Sequence, residues 1–412
     1  MRSRARRAYS SLGVRNYRLY FFGQIVSISG SWMQQIAMAW LVLNLTGSAF
    51  TLGLTVALQT LPYLFVGVWG GLLADRLPKR RLLICTQLAQ TIVPFAFWAL
   101  VAGGAIEMWM VYALVFVRGL VNTLDNPARQ SFVADMVGRD RIVNAVSLNA
   151  SVVQAGRLFG PAIAAVILAT LGLGPCFLVN GITFLFMVLM LFLMRPEELH
   201  PAPVTPRGRG QLRDALRVVA HTPDLLMPLL LMLVVGLLSF NFAVVLPSIA
   251  RFTFHGTATT YALMMNFLAL GALVGALVAG TRAVVSRRMV AWASLAFGAA
   301  LGVTALADSL PLALVSLIAV GATSVTFSAS VQSLLQLTSE PEMRGRILSL
   351  YQLVYMGTTP MGALLVGWLA STVGPRSGLV MGAAAALAAG AVGLWARSRS
   401  GVVAVAIGPS EH

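Results

Sequence analysis

Charged side chains are scarce in this 412-residue sequence. Asp, Glu, Lys and Arg together make up 10% of it, whereas apolar residues make up 58%. Soluble domains average about 25% charged residues and about 45–50% apolar residues. Because so few charges cannot cover the surface of a soluble protein of this length, the composition excludes that class and predicts an integral membrane protein.

The residues that carry enzyme chemistry are also few. The single lysine, Lys79, lies outside any Gly-Lys-Ser/Thr phosphate loop, no G-x-S-x-G nucleophile elbow occurs, and the four histidines lack the spacing of a metal-binding H-E-x-x-H motif. Cys85 and Cys176 are predicted near opposite faces of the membrane, which excludes a disulfide between them. We therefore expect neither an enzyme nor a bound cofactor or metal.

Long apolar stretches fill most of the chain, and most reach the roughly 20 residues that cross a hydrocarbon core of about 30 Å. They predict an all-α integral membrane protein with twelve transmembrane helices. The twelve stretches are residues 17–44, 48–74, 82–103, 107–127, 142–171, 175–194, 225–250, 257–281, 289–307, 310–335, 343–372 and 376–396.

The basic residues fix the predicted orientation. All but four of them lie at the termini, on alternate connections or at the ends of the stretches that adjoin these. The exceptions are Arg118 and Arg157 deep inside stretches, and Arg251 and Arg376 on the opposite side. By the positive-inside rule both termini are expected in the cytoplasm of a bacterial inner membrane. Because these loops account for the net charge of +16 and no basic stripe with interleaved aromatic residues occurs, no nucleic-acid partner is expected.

A proline-rich polar segment divides the chain into two halves. We predict a first six-helix bundle at residues 1–194, a cytoplasmic linker with a short amphipathic helix at 195–224, a second bundle at 225–397 and a cytoplasmic tail at 398–412. Sliding the sequence by 202 residues places Gly119 on Gly321 and Gln130 on Gln332. Two such pseudo-symmetric repeats are typical of secondary transporters, whose cargo site lies between the repeats.

The connection between the second and third stretches has a specific pattern. A glycine is followed four residues later by an Asp-Arg pair and then by three consecutive basic residues. This pattern resembles the loop signature of the major facilitator superfamily, although Pro78 stands where the family has glycine. The resemblance implies transport by alternating access, with a cytoplasmic gate that forms in one conformation and breaks in the other. The gate residues are Gly71, Asp75, Arg76, Lys79, Arg80 and Arg81, with Asp125 and Arg129 on the fourth stretch.

Other segments extend the resemblance over nearly the whole chain. Gly156, Gly160 and Pro161 resemble the fifth-span motif of proton-driven exporters, where they imply a hinge; close helix packing through small residues explains them equally well. Residues 15–18, 45–48 and 126–130 are similar to the siderophore and macrolide exporter branch, the transmembrane secretion effectors. These motifs identify the superfamily rather than the cargo.

Two arginines are predicted near the middle of spans. Arg118 on the fourth stretch and Arg157 on the fifth each cost roughly 2.5–3.5 kcal/mol to insert at that depth, so they should face protein or water. The acids offer no partner there, because Asp125 lies near the cytoplasmic end and Asp308 on the outer side. An unpaired cationic site favours an anionic cargo; the alternative is that the arginines only bind carbonyl groups of neighbouring helices.

The resembled fold points to further cavity candidates, namely Gln35, Asn149, Asn241 and Tyr355. Our first hypothesis is a monomeric, proton-coupled exporter of a small organic molecule such as a siderophore, drug or secondary metabolite. Asp75 and Asp125 are the candidate proton carriers. An uptake or lipid transporter of the same fold is the alternative, and a non-transporting membrane receptor or assembly subunit is the alternative from another class.

Overall fold

The structure is a computed structural model that describes residues 10–200, 211–280, 284–395 and 405–406. Within these ranges only the backbone is described for residues 68–75, 139, 211–213, 284, 341–342 and 405–406. The described residues form α-helices almost throughout, with three short 3-10 turns and one antiparallel pair of two-residue strands, β1 (Val284–Val285) and β2 (Val405–Ala406). The predicted all-α membrane fold is confirmed.

Six long helices occupy the chain before the proline-rich segment. They follow the predicted stretches closely, because the length of an apolar run fixes the length of a membrane-spanning helix. These are α1 (Arg15–Thr46), α2 (Ala49–Arg76), α3 (Lys79–Ala102), α4 (Met108–Met136), α5 (Ile142–Thr170) and α6 (Leu173–Phe192).

The described residues after that segment form nine helices. Two of the predicted spans are each interrupted, so that α8 is followed by α9 and α13 by α14. The helices are α7 (Gln211–His221), α8 (Pro223–Ser239), α9 (Phe242–Phe252), α10 (Ala258–Gly280), α11 (Arg287–Ala305), α12 (Leu310–Thr338), α13 (Pro341–Gly357), α14 (Thr359–Thr372) and α15 (Ser377–Trp395).

Eleven segments within the described residues are long and apolar enough to cross a membrane. Helix α1 is not among them, although its 32 residues exceed the length required. Buried polar side chains such as Gln24 and Gln34 lower the hydropathy of α1. The structure is therefore consistent with the twelve predicted spans.

The chain divides into two compact units whose boundaries do not follow the linker alone. Residues Ser48 to Ala57, which include the first nine residues of α2, belong to unit 2, and the start of α10, from Ala258 to Asn266, belongs to unit 1. Unit 1 comprises Met1–Gly47, Leu58–Pro206 and Ala258–Asn266, and unit 2 comprises Ser48–Ala57, Arg207–Thr257 and Phe267–His412.

Helix α4 continues nine residues beyond its predicted end at residue 127. Pro127 lies inside the helix and interrupts one backbone hydrogen bond, which made it a plausible terminator in the sequence. The helix continues because Ala128, Phe132 and Met136, spaced four residues apart, are buried in an apolar cluster with Tyr17 of α1. Asp125 and Arg129 therefore lie inside α4 rather than at its end.

Unit 2 packs its helices through small residues. The hydroxyl of Ser294 on α11 donates to the carbonyl oxygen of Ala386 on α15 at 2.8 Å. A Cβ added at Gly390 would lie 2.8 Å from the carbonyl oxygen of Ala291. Such close backbone contact is how membrane helices gain packing energy where lipid supplies no hydrophobic drive.

The linker helix α7 is held to unit 2. Ala215 and Val219, four residues apart, are buried, and Asp214 forms an ion pair with Arg346 of α13 at 3.7 Å. Leu216, which lies between them in the sequence, is half-exposed. The membrane-surface position of this helix stays a prediction.

Candidate functional site

The gate loop begins in α2 and ends in α3. Gly71 and Asp75 lie within α2, but their side chains fall outside the described part of the structure. Arg76 is exposed, whereas the Nζ of Lys79 donates to Oδ1 of Asp135 on α4 at 2.8 Å. Both partners of this ion pair are largely buried. The loop is thus tied to the C-terminal end of α4.

Of the next two basic residues of the loop, Arg80 is bonded to a neighbouring helix and Arg81 is exposed. The guanidinium of Arg80 donates to the carbonyl oxygens of Leu191 at 2.9 Å and Phe192 at 3.1 Å, the last residues of α6. These carbonyls have no partner within their own helix, and they carry the negative end of its dipole. Arg81 is exposed. Arg80 therefore caps α6, which its place in a basic run did not indicate.

Asp125 is the centre of a buried hydrogen-bond network in unit 1, and its side chain is almost fully covered. Its Oδ1 accepts from the hydroxyl of Thr86 at 2.6 Å and from the amide of Gln87 at 2.7 Å, both on α3. Its Oδ2 pairs with the guanidinium of Arg129, which also donates to the amide oxygen of Gln24 on α1. One carboxylate thus links α1, α3 and α4.

This network belongs to a polar row along α4. Arg118, Asn122, Asn126 and Arg129 recur at three- or four-residue intervals and therefore share one face of the helix. The hydroxyl of Tyr63 on α2 accepts from the amide of Asn126 and lies 3.4 Å from the carbonyl oxygen of Asn122. Because Asn122 and Asn126 are the two middle members of the row, these contacts place Tyr63 between its ends, Arg118 and Arg129.

A close helix crossing places Tyr63 against the row. A Cβ added at Gly119 would collide with the carbonyl oxygen of Gln59 and lie 3.1 Å from Cγ of Pro62. Only glycine allows the backbones of α2 and α4 to approach this closely. On α3, the amide of Gln90 donates to Oδ1 of Asn122 at 2.6 Å, while its own Oε1 is buried without a partner. The row is therefore incompletely satisfied.

Arg118 is the least satisfied member of the row. Its side chain is 7% exposed, and its Nε has no hydrogen-bond partner in the structure. It lies about 15 Å along α4 from Met108, close to the middle of a core about 30 Å thick. A buried guanidinium with an unused donor is a site where an anion would be stabilised.

Arg157 has a different environment. Its guanidinium carbon lies 5.1 Å from the centroid of the Trp32 ring on α1, a cation–π contact. Its Nε is also buried without a hydrogen-bond partner, although the residue as a whole is only half-buried. Arg157 therefore has a partial partner that Arg118 lacks.

The predicted hinge residues on α5 pack against α1. A Cβ added at Gly160 would lie 2.5 Å from Cβ of Trp32 and 2.6 Å from the carbonyl oxygen of Ser29, and Gly156 faces Ile28 as closely. Pro161 lies inside the helix without ending it. These contacts give the glycines a packing role, and the hinge stays a prediction.

The remaining cavity candidates lie in both units. Gln35 and Asn149, in unit 1, are half-buried. Asn241, in unit 2, is buried between α8 and α9, where its amide donates to the carbonyl oxygen of Leu237 at 2.8 Å. This bond caps the end of α8 and gives Asn241 a structural role.

Tyr355 in unit 2 belongs to a group of aromatic rings. Its ring meets Phe240 at 5.7 Å between centroids in an edge-to-face arrangement and is parallel to Tyr351 at 6.1 Å. Phe240 in turn stacks on Phe297 at 5.3 Å. Tyr355 is half-buried, whereas Tyr351 and Phe297 are almost fully covered.

Sequence reasoning missed several members of the unit 1 network. Asn126 entered the sequence analysis only within the family-like segment 126–130, and Gln24 was not singled out. Tyr63, Gln87 and Gln90 carried no signal beyond being polar in apolar stretches. Among the described residues, no cluster of three or more His, Cys, Asp or Glu side chains could hold a metal ion.

Comparison with known proteins identifies relatives of this chain. The sequence model of a family described as transmembrane secretion effector matches residues 7–410. The chain is 26% identical to the staphyloferrin A transporter of Staphylococcus aureus over 63% of this chain and 66% of that protein, just under two thirds of its length. It is 26% identical to the multidrug efflux pump Tap of Mycolicibacterium fortuitum over 86% of this chain and 89% of that protein.

A solved structure shares the fold. A bacterial homologue of the iron transporter ferroportin, in an inward-facing state, matches with a TM-score of 0.72 over 93% of this chain and 99% of that protein. The sequence identity is 16%. This likeness establishes the architecture and says nothing about cargo.

Proposed function

We propose that this chain, which belongs to the transmembrane secretion effector family of the major facilitator superfamily, exports a small acidic organic molecule from the bacterial cytoplasm in exchange for protons. The chain is a multi-pass membrane transporter. Export is favoured because a relative that matches 86% of the chain, Tap, is a multidrug efflux pump. Alternating access between two states is the mechanism expected of this fold.

The observation that carries the proposal is the buried Nε of Arg118, which has no hydrogen-bond partner among the described residues. A charge buried near the middle of a membrane is expensive, and such residues mark substrate or ion pathways. A carboxylate or phenolate bound there would accept the unused Nε–H and compensate the positive charge. The expected gain from a charge-assisted hydrogen bond is about 1.5–3 kcal/mol, which is roughly 10- to 100-fold in affinity.

Proton coupling is assigned to Asp125. As a carboxylate it accepts from Thr86, Gln87 and Arg129, so it joins α4 to α3 directly and to α1 through Arg129 and Gln24. Protonation would remove the negative charge that holds Arg129 and would loosen these helix contacts. A carboxylate whose protonation releases such a link can bias the equilibrium between two transporter conformations. Asp75 remains the second candidate carrier.

The test is cargo-driven proton movement in inverted membrane vesicles with an acidified lumen. The panel contains 2,3-dihydroxybenzoate and citrate as anions, erythromycin as a neutral macrolide and ethidium as a cation. We expect the anions to collapse the pH gradient in wild-type vesicles. Arg118→Gln should raise the half-saturating anion concentration by roughly 10- to 100-fold. Arg251→Gln, which removes the same charge from the last turn of α9, is the control and should leave that concentration unchanged.

Asp125→Asn separates coupling from cargo binding. This variant should lose proton movement but retain exchange of labelled anion for unlabelled anion, because Arg118 is intact. Response to the neutral or cationic compounds alone would contradict the acidic cargo. Cargo-driven acidification of the lumen instead of its collapse would point to uptake, and silence of the wild type with every compound would contradict the exporter proposal.

A further inference from the structure

Two helix interruptions in unit 2 adjoin each other. The span Pro223–Phe252 is broken between α8 and α9 at Phe240 and Asn241, and the span Met343–Thr372 is broken at Thr358. A Cβ added at Gly362, one turn after the second break, would lie 2.8 Å from the amide of Asn241. Non-helical backbone at membrane depth is tolerated only where protein buries it or where it borders a water-filled cavity.

The aromatic rings of unit 2 gather at these interruptions. Phe240 lies in the first break, and Tyr355 precedes the second by three residues. From Pro341, Tyr355 is about 21 Å along α13, deep inside the span. Phe242, the first residue of α9, completes the group with its ring edge-on to Phe240 at 6.3 Å between centroids.

These rings are incompletely covered. Phe297 and Tyr351 form the buried base of the group, whereas Phe240, Phe242 and Tyr355 keep part of their surface accessible. A tyrosine deep in a membrane normally directs its hydroxyl to a partner. Tyr351 does so towards the carbonyl oxygen of Ser328 at 3.5 Å, but the hydroxyl of Tyr355 has no such bond to any residue that the structure describes.

We propose that Phe240, Phe242 and Tyr355 form a subsite for a planar aromatic ring, with the Tyr355 hydroxyl bonding to a polar substituent on that ring. Rings prefer edge-to-face or offset-stacked neighbours at 4.5–7 Å, the range in which these side chains already hold one another. The free hydroxyl supplies the directional contact that orients a bound ring. This subsite deepens the proposed function by making aryl compounds, such as hydroxylated aryl acids, the preferred cargo.

The test compares two acids that differ only in aromaticity. The probes are 2-naphthoate and its saturated analogue, decahydro-2-naphthoate, and binding is measured by equilibrium dialysis against the protein in lipid nanodiscs. An aromatic contact worth about 0.5–1.5 kcal/mol predicts that wild type binds the aromatic acid roughly 3- to 10-fold more tightly. Tyr355→Leu should reduce this ratio towards one. Phe159→Leu, which removes a half-exposed ring from α5 in unit 1, controls for unspecific adsorption and should leave the ratio unchanged.

Tyr355→Phe tests the hydroxyl with little risk to folding, because it keeps the ring. It should abolish any preference for 6-hydroxy-2-naphthoate over 2-naphthoate while leaving binding of 2-naphthoate unchanged. An unaltered aromatic ratio in Tyr355→Leu, or an unaltered hydroxyl preference in Tyr355→Phe, overturns the subsite. Arg118→Gln tests the acidic-cargo proposal through the affinity for the acids themselves, whereas the Tyr355 variants test the subsite through the ratio of two affinities. Failure of the acidic-cargo proposal is therefore visible separately from failure of the aromatic subsite.

Discussion

Replacing Arg118 by methionine should make the transporter more stable and less active at once. Methionine keeps an unbranched apolar stem of similar length and removes the guanidinium whose Nε has no partner. An unsatisfied buried donor costs about 1–3 kcal/mol, and a charged side chain at the centre of a membrane helix costs roughly 2.5–3.5 kcal/mol on insertion scales. We therefore expect Arg118→Met to raise the free energy of unfolding without cargo by about 1–3 kcal/mol.

The same substitution at two other arginines provides the controls. Arg129→Met leaves the buried Asp125 unpaired, and breaking such a pair destabilises by roughly 3–5 kcal/mol. Arg157→Met loses a cation–π contact with Trp32 worth about 0.5–2 kcal/mol but also removes an unpartnered Nε, so the two effects should largely offset each other. The same substitution is thus expected to raise the free energy of unfolding at Arg118, to lower it at Arg129 and to leave it nearly unchanged at Arg157.

The assay is thermal unfolding of the purified protein in detergent, with and without 2,3-dihydroxybenzoate. For a unit of about 200 residues, 1 kcal/mol shifts the midpoint by roughly 2–4 °C. Arg118→Met should melt a few degrees above wild type, and Arg129→Met well below it. The anion should raise the wild-type midpoint as its concentration passes the dissociation constant, but not that of Arg118→Met. A fall in the midpoint of Arg118→Met, comparable with that of Arg129→Met, would refute the reasoning and make Arg118 a structural cross-link.

Two further predictions concern the framework around the site. Gly119→Val should destabilise unit 1 by at least about 1–3 kcal/mol, because the added carbons collide with the backbone of Gln59. Gly67→Val, at a glycine of α2 where an added Cβ meets nothing within 4 Å, is the matched control and should lower the midpoint much less. Lys79→Met should destabilise the protein by roughly 3 kcal/mol, because it leaves the buried carboxylate of Asp135 without its partner. The double variant Lys79→Met/Asp135→Leu should recover most of that loss. Equal melting midpoints of the single and double variants would show that the two residues are not coupled.

Most helix boundaries could be predicted because the bilayer sets the length of an apolar run. The exceptions have physical causes. Pro127 is compatible with a continuing helix once Phe132 and Met136 are buried beyond it, and burial depends on tertiary packing that the sequence does not display. The break at Phe240 and Asn241 lies in an apolar run that hydropathy alone treats as one span.

The residues of the candidate site likewise include some that could be predicted from the sequence and others that could not. The cost of an intramembrane charge singled out Arg118 without any structure, because that cost does not depend on the neighbours. Tyr63 and Gln87 could not be singled out, because a polar group in a span bonds whatever the adjacent helix presents. Close helix crossings such as that at Gly119 determine which helix is adjacent. The sequence displays this glycine but does not show that Gln59 lies against it.

The contrast between the two arginines of the α4 row leads to a final prediction. Asp125 stands four residues before Arg129 and pairs with it, whereas Arg118 has Asn122 four residues after it and no acid within one turn. Asn122→Asp should supply the missing partner, and the amide of Gln90, which already donates to Oδ1 of Asn122 at 2.6 Å, can donate to the new carboxylate. The variant should melt above wild type and bind anions at least 10-fold more weakly, because its own carboxylate competes for Arg118. Asn122→Leu removes the same amide without adding charge and should not show the gain in stability. Unchanged anion affinity in Asn122→Asp would mean that the anion does not bind at Arg118, whatever else the transporter carries.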